Sequence, residues 1–342
     1  MATALLDHPV PIHDEATRRQ FLIGGASLAA LLAGCGSDDS SPDAPAGDGG
    51  FPVSIDGAFG PTRIGHRPAR VAAVGFLRDG DDTLALGVTP VAMATSGNFP
   101  ETGLAPWTLQ ALGSAKPTIF EVTDGLPFEQ IAAARPDLIL ATDDRTLADH
   151  HDRLAGIAPV LAYTIGAEAE PWRLRAERIG RALGRSQQAA EVTRRVEQMI
   201  RSAREQHPEF EGKTIVSGPV VEGKIYLVNR DSDASAALLS ELGLSLSPRV
   251  AALPESYPGR AEISPERIEL LEADVIMLSY VSPSDRQLVE SSELFQRLEA
   301  VRRGSYIDLD LGVGIAGGYP SLLSIPYSLE RTVPLIAEAL AA

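Results

Sequence analysis

Short apolar runs alternate with amphipathic stretches along most of this chain. Val71-Ala72-Ala73-Val74 predicts a strand, and Asp81 to Leu86 a helix closed by Gly87. Val91-Ala92-Met93 is a second strand. Phe128 to Ala134 reads as a helix that ends at Arg135-Pro136, because a residue before proline is pushed out of the helical region. Leu138 to Ala141 is the next strand, and Leu154 to Ile157 and Val160 to Tyr163 continue the series. Strands alternating with helices predict an α/β architecture.

The second half repeats the plan. Thr214-Ile215-Val216 and Ile225 to Val228 read as strands, Ala234 to Leu242 as a helix closed by Gly243, Pro265 to Leu271 as a helix, and Val275 to Leu278 as a strand. Glu129, Ile131 and Asp137 recur as Glu266, Ile268 and Asp274, each pair 137 positions apart. Two common helix-to-strand units can coincide by chance. The alternative taken here is two lobes of similar build, the first carrying an insertion at about 96–125 that contains Trp107. The division predicted is an N-terminal lobe at 51–170, a linking helical segment at 171–207 and a C-terminal lobe at 208–342. Apolar residues from Trp172 to Ile200 fall near helical spacing, interrupted at Gly184-Arg185-Ser186. A helix of some 20 residues there extends about 30 Å, and such a rod permits less closure than flexible strands.

The first 50 residues follow another logic. Arg18-Arg19 precede a 13-residue apolar stretch, Phe21 to Ala33, too short to span a bilayer and suited to a signal segment. A twin-arginine pair ahead of such a stretch is an export address. Leu32-Ala33-Gly34-Cys35 then reads as a lipobox. Residues 1–34 are expected to be removed, leaving Cys35, the only cysteine, lipidated at the new N-terminus. A short core helix with a buried cysteine is the competing reading. The Gly/Ser/Asp/Pro run that follows, out to residue 50, argues against it, because it cannot bury apolar area. As a flexible coil this tether reaches roughly 20 Å.

Composition narrows the partners. The formal net charge of −16 repels nucleic acid and offers no basic patch for anionic lipid, so membrane attachment falls to the acyl chains. One cysteine allows neither a disulfide framework nor a cysteine metal site. His150-His151 beside Asp149 and Asp152 invites a metal reading, but adjacent positions point apart, and an exposed polar turn is expected instead. Gly312-Val313-Gly314-Ile315-Ala316-Gly317 matches a dinucleotide fingerprint, yet Pro320 and Ser321 delay any helix and only 25 residues remain after Gly317. A glycine-rich cleft loop is expected there. No nucleophile elbow, zinc-protease motif or P-loop is present, so neither catalysis nor a bound cofactor or metal is expected.

Five stretches together resemble the substrate-binding lipoproteins of iron–siderophore ABC importers, with cobalamin and haem binders as relatives. They are Arg67 to Val71, Leu84 to Val91, Ile131 to Leu140, Ile157 to Val160 and Ser324 to Leu329, within a resemblance that covers essentially Phe51 to Ala342. It implies a two-lobed periplasmic-binding-protein fold, α/β, with the lobes joined by a long helix and the ligand in the cleft between them. It implies a monomeric, extracytoplasmic receptor, lipid-anchored on the outer face of the cytoplasmic membrane, that hands a ferric siderophore to an ABC permease. Haem or cobalamin on the same scaffold is the alternative, and a secreted enzyme a remote one. The resemblance places permease-docking glutamates at Glu129 and Glu266. Read from the residues alone, a Glu in a helix first turn also favours the helix dipole by about 0.3–1 kcal/mol. Ligand contacts are expected from loops after strand ends. The candidates are Arg78, Trp107, Arg145, Arg230, Tyr257, Tyr280 and Tyr319, and Arg260 lies beside Tyr257. The resemblance sets the loops of Arg145, Tyr257 and Tyr319 opposite ligand-contacting positions of hydroxamate binders. Arginine pairs with chelate oxygens and an aromatic ring covers apolar ligand surface.

Overall fold

The computed structural model describes residues 50–342, apart from 96, 100, 101, 123, 124 and 168. The signal segment, Cys35 and the tether up to residue 49 lie outside the described residues. Among the described residues no helix is long and apolar enough to cross a membrane.

An antiparallel pair, β1 (Val53–Ile55) and β2 (Thr62–Ile64), opens the first lobe. There follow β3 (Val71–Ala73), α1 (Arg78–Ala85), β4 (Ala92–Thr95), α2 (Pro106–Leu112), β5 (Thr118–Glu121), α3 (Phe128–Ala133), β6 (Leu138–Ala141), α4 (Leu147–Ala155) and β7 (Val160–Ala162). The strands form an all-parallel sheet in the order β5-β4-β3-β6-β7. Helices on its faces bury β3, β4, β6 and β7 throughout, which is why they read as unbroken apolar runs. Between β4 and α3 lie α2 and β5, the edge strand of the sheet.

The linking segment is two helices. α5 (Trp172–Leu183) ends at Gly184, whose φ of +63° closes it, and α6 (Ser186–Gln206) folds back against it. A Cβ on Gly180 would stand 2.5 Å from that of Ala189, so glycine permits this close approach. At 21 residues, α6 is about 31 Å long.

The second lobe runs β8 (Thr214–Val221), β9 (Lys224–Val228), α7 (Ala234–Glu241), β10 (Ser245–Leu246), α8 (Pro248–Ala251), β11 (Arg260–Ile263) and a tight helical stretch, Pro265–Leu271. It continues with β12 (Val275–Tyr280), α9 (Pro283–Glu290), α10 (Glu293–Gln296), α11 (Glu299–Arg302), β13 (Tyr306–Leu309), α12 (Leu311–Gly318) and α13 (Ser324–Ala341). The sheet order is β11-β9-β8-β12-β13, with β10 also on β8. The 137-residue repeat has a structural basis. Asp137 precedes β6 and accepts from the backbone N–H of Ala69 and Arg70, ahead of β3. Asp274 precedes β12 and accepts from that of Thr214, at the start of β8. Each aspartate ties the entry of one central strand to its parallel neighbour.

The Gly312–Gly317 run corrects an expectation: it is helical, not a loop. Asp310 caps α12 by accepting from Val313 N–H at 3.2 Å. A Cβ on Gly314 would meet Ser279 Oγ at 2.7 Å, so this glycine lets the helix lie directly on β12. Another helix, α13, follows, not the strand that a dinucleotide site needs.

One apolar cluster runs from Val71, Leu138 and Leu140 through Ile179 of α5 and Val196 of α6 to Ile215, Val275 and Ile336. The lobes therefore share a core. A polar network reinforces it. α1 begins Arg78-Asp79-Gly80-Asp81-Asp82, all buried. Arg78 donates to Asp143 through Nε at 2.7 Å and to the Ala167 carbonyl at 2.7 Å. Asp81 accepts from Trp107 Nε1, Thr108 Oγ1 and Ser321 Oγ at 2.7, 2.7 and 2.8 Å. Asp82 accepts from Arg175 Nε at 2.7 Å and from Leu322 N–H at 2.8 Å. Arg175 also donates to the Pro320 carbonyl at 2.6 Å. The network thus bolts residues 320–322 onto the first lobe.

Burial pushes Asp79 and Asp81 up to about 7; for Asp79 the charge of Asp143 adds to it. At Asp143 burial also acts upward, but the charge and hydrogen bonds of Arg78 outweigh it and hold the carboxyl below its usual range. An aspartate raised in the folded state contributes stability that is full below 3.8 and lost as pH rises towards about 7. Asp143 acts in the opposite sense, below that window. Stability is therefore expected to fall between about pH 4 and pH 7, and Asp81→Asn to flatten the fall by up to about 1.4 kcal/mol per pH unit. Urea unfolding across that range measures it, and an unchanged slope in the variant contradicts the assignment.

Candidate functional site

A groove of about 750 Å³ opens between the lobes, within the roughly 300–1,000 Å³ usual for small-molecule sites. The first lobe contributes Arg145, from the loop after β6, and Tyr163, Ile165, Gly166, Ala167 and Ala169, from the loop after β7. The second contributes Pro219, Val221 and Glu222 at the end of β8, Tyr226 of β9, and Tyr257, Pro258 and Arg260. Tyr319 completes the lining. Parallel strands bring their C-terminal ends to one side of each sheet, and the connecting loops converge there.

Each side chain has a local cause. Tyr257 to Arg260 form a tight turn in which Arg260 N–H donates to the Tyr257 carbonyl at 2.9 Å. Pro258 pre-sets the entry and Gly259, with φ of +71°, supplies the left-handed position. The turn holds Tyr257 out, 57% exposed, with its ring edge-on to Tyr226 at 5.5 Å. Arg260 Nη1 pairs with Asp233 at 2.5 Å, and the same aspartate caps α7 through Ser235 N–H at 2.8 Å. On the opposite wall Arg145 donates to Tyr319 Oη at 2.7 Å. Its guanidinium lies 5.7 Å from the Phe76 ring centroid and 5.4 Å from that of Tyr319. Ile165 stands 70% exposed in the groove. Exposed apolar and aromatic surface with a few fixed charged groups suits a large ligand held without covalent chemistry.

Three sequence-derived candidates, Arg145, Tyr257 and Tyr319, meet in this groove. Arg78, Trp107, Arg230 and Tyr280 do not line it. Arg78 and Trp107 are buried in the α1 network described above. Arg230 turns to Glu255, at 2.5 Å, and to the Asn229 carbonyl. Tyr280 is buried in the second lobe with its hydroxyl 2.8 Å from that of Tyr306, which in turn donates to Glu290 at 3.0 Å. Sequence reasoning passed over Tyr163, Tyr226 and Glu222. Tyr163 closes an apolar strand run and so satisfied the strand-end rule that found Arg145. Tyr226 lies inside a run that reads as core.

Glu129 and Glu266 are both exposed. Glu129 follows β5, which runs parallel to the other strands of its sheet, so it stands at the same end as Arg145. Glu266 follows β11, where Ile263 is level with Ile225 and Ile225 with Val220, between the groove residues Pro219 and Val221. Both glutamates therefore stand at the groove end of their sheets. His150 bonds Asp144 at 2.6 Å and His151 stacks on Phe59 with centroids 4.5 Å apart. Among the described residues no group of three or more His, Cys, Asp or Glu is placed to hold a metal ion.

A family model described as periplasmic binding protein matches residues 81–311. The chain belongs to that family. This periplasmic binding protein is 30% identical to a periplasmic solute binding protein from Mycobacterium smegmatis, with a TM-score of 0.73 over 84% of this chain and 98% of the other. It is 28% identical to PiaA, an iron uptake ABC transporter substrate-binding protein from Streptococcus pneumoniae, with a TM-score of 0.70 over 84% and 99%. PiaA in complex with ferrichrome gives 27% identity and a TM-score of 0.72 over 84% and 98%. A comparison with curated protein sequences returned no match. The family and these relatives are solute-binding proteins, so the two-lobed α/β fold that the resemblance implied is the fold of a periplasmic binding family.

Proposed function

We propose that this periplasmic binding protein captures a ferric siderophore in the interlobe groove and delivers it to an ABC permease for iron uptake. The observation that carries the reading is the groove itself. Four tyrosines and two arginines from both lobes face one space of about 750 Å³, matched in size and chemistry to an iron chelate whose oxygens and apolar arms need covering. The relationship to an iron-uptake receptor crystallised with ferrichrome supports it. Iron stays within the chelate; the protein contributes rings and hydrogen-bond donors. Lipidated Cys35 holds the receptor at the outer face of the cytoplasmic membrane, and the tether keeps it at high local concentration near its permease.

Equilibrium dialysis of the purified protein against ferric siderophores, haem and cobalamin tests the proposal. Saturable binding of a ferric chelate recovered unchanged supports it, whereas binding of haem or cobalamin alone overturns it. Tyr257→Ala is expected to weaken chelate binding by about tenfold, because its exposed ring has surface to lose only to the ligand. Isothermal titration of the variant measures this, and unaltered affinity removes Tyr257 from the site.

A further inference from the structure

A cavity of about 60 Å³ lies inside the second lobe, behind the groove, between the sheet and helices α7, α12 and α13. Three elements lead into it from the groove. Side chains two apart on a strand share a face. On β8, Val221 and Pro219 line the groove, and Pro219 and Ser217 the cavity. On β9, Tyr226 lines the groove and Val228 the cavity. At the end of α12, Gly317 and Gly318 line the cavity and Tyr319, the next residue, the groove. Arg260 borders both spaces, and Ser217, Gly218 and Pro219 are half-buried along the path between them.

The chemistry of this cavity is mixed. Much of its wall is apolar, with Leu238, Met277 and Leu329 among the lining side chains. Ser279 and Ser328 also line it and are 6% and 3% exposed. Among the described residues neither hydroxyl has a hydrogen-bond partner. A buried hydroxyl left without one is costly, so the cavity suits a guest that bonds both. Size and charge restrict that guest. An apolar cavity of about 150 Å³ holds benzene, and on that scale about 60 Å³ holds roughly two or three carbon atoms. Among the described residues no carboxylate lines the cavity, so an ammonium finds no partner there. Arg260, the charged residue of the lining, is already paired with Asp233 at 2.5 Å. We infer that the cavity is a subsite continuous with the groove, which takes a short uncharged group of the bound solute, two or three carbons bearing an acceptor oxygen, such as an acyl tip. Its carbons pack on Leu238, Met277 and Leu329, and the two serine hydroxyls donate to its oxygen. The inference rests on the reading of the groove as the solute site.

Amide-resolved NMR titration of the purified protein with propionamide tests this, with propionate and propylammonium as charged counterparts of similar size. Propionamide is expected to bind saturably, with a Kd of about 1–10 mM, and to shift the amide signals of Ser279, Gly314 and Ser328. Either ion is expected to bind at least about tenfold more weakly. Ser279→Ala is expected to weaken propionamide binding about fivefold with an unchanged urea midpoint of unfolding, because that hydroxyl bonds nothing in the fold. Ser217→Leu fills the path from the groove and is expected to abolish the shifts. Absence of saturable shifts, equal binding of either ion, or an affinity indifferent to both substitutions overturns the subsite. Dialysis against ferric siderophores decides the earlier reading separately. A protein that binds a ferric chelate but not propionamide keeps the siderophore reading and loses the subsite, and the reverse result keeps the subsite and loses that reading.

Discussion

Asp82→Ala is expected to destabilise the protein by about 3–5 kcal/mol, the usual cost of removing one partner from a buried ion pair. Asp82 and Arg175 are 0% and 1% exposed and meet at 2.7 Å. Removing the carboxylate leaves a guanidinium in the core whose Nη1 already lacks a partner, and it orphans the Leu322 N–H as well. Compensation by water is limited, because Ile179, Leu322 and Ile325 of the shared core lie in the same region. Urea unfolding at neutral pH measures the loss. A drop below about 1 kcal/mol contradicts the network's role. The double variant Asp82→Ala, Arg175→Met should recover part of the loss, since it removes the stranded charge along with its partner.

The same substitution reaches the groove. Tyr319 immediately precedes Pro320, Ser321 and Leu322, the segment that Arg175, Asp81 and Asp82 hold. Loosening that anchor frees the ring that Arg145 bonds on its own wall of the groove. Chelate affinity in Asp82→Ala should therefore fall even under conditions where the variant is fully folded. The network thus joins stability to function: it sets the C-terminal segment against the first lobe, and the first lobe against the ligand.

Much of the fold was legible because buried parallel strands must be short and apolar and the helices between them amphipathic. β3, β6, β8 and β12 all stood out on that ground. The 137-residue repeat was legible because Asp137 and Asp274 perform the same backbone task. The acidic start of α1 was not. A run of carboxylates ordinarily marks a solvated surface, and here its partners are Arg175, 93 positions from Asp82, and Ser321, 240 from Asp81. Only the folded chain brings them together. The same tertiary rule took Arg78 and Trp107 out of the groove. Gly312–Gly317 misled in the reverse direction: its glycines permit a helix to touch β12, whereas a glycine-rich run in isolation favours a loop. In the groove, Arg145, Tyr257 and Tyr319 were found because they sit outside regular strands. Tyr226 was missed because its neighbours Ile225 and Leu227 are core residues and only its own side of β9 faces the ligand space.

Glu129→Ala together with Glu266→Ala is expected to abolish uptake of ferric chelate by cells while leaving the affinity of the purified protein within about threefold. The glutamates are exposed, and neither lines the groove, so ligand contacts survive. The fold should tolerate the change. Among the described residues Glu129 pairs with Arg153 at 3.2 Å, largely in solvent, a type of pair worth about 0–1 kcal/mol. At Glu266 the capping bond runs from its backbone N–H to Ser264 Oγ, and alanine keeps that donor. What the pair loses is two negative charges, one on each lobe, both at the groove end of the molecule. A permease that reads both lobes at once gains from two moderate contacts far more than from either alone, so the double variant should fail where each single variant retains partial uptake. Uptake of radiolabelled iron chelate in cells carrying the variant, beside calorimetry on the purified protein, separates the steps. Unimpaired uptake removes the docking assignment, and a collapse of chelate affinity moves the glutamates from docking to ligand binding.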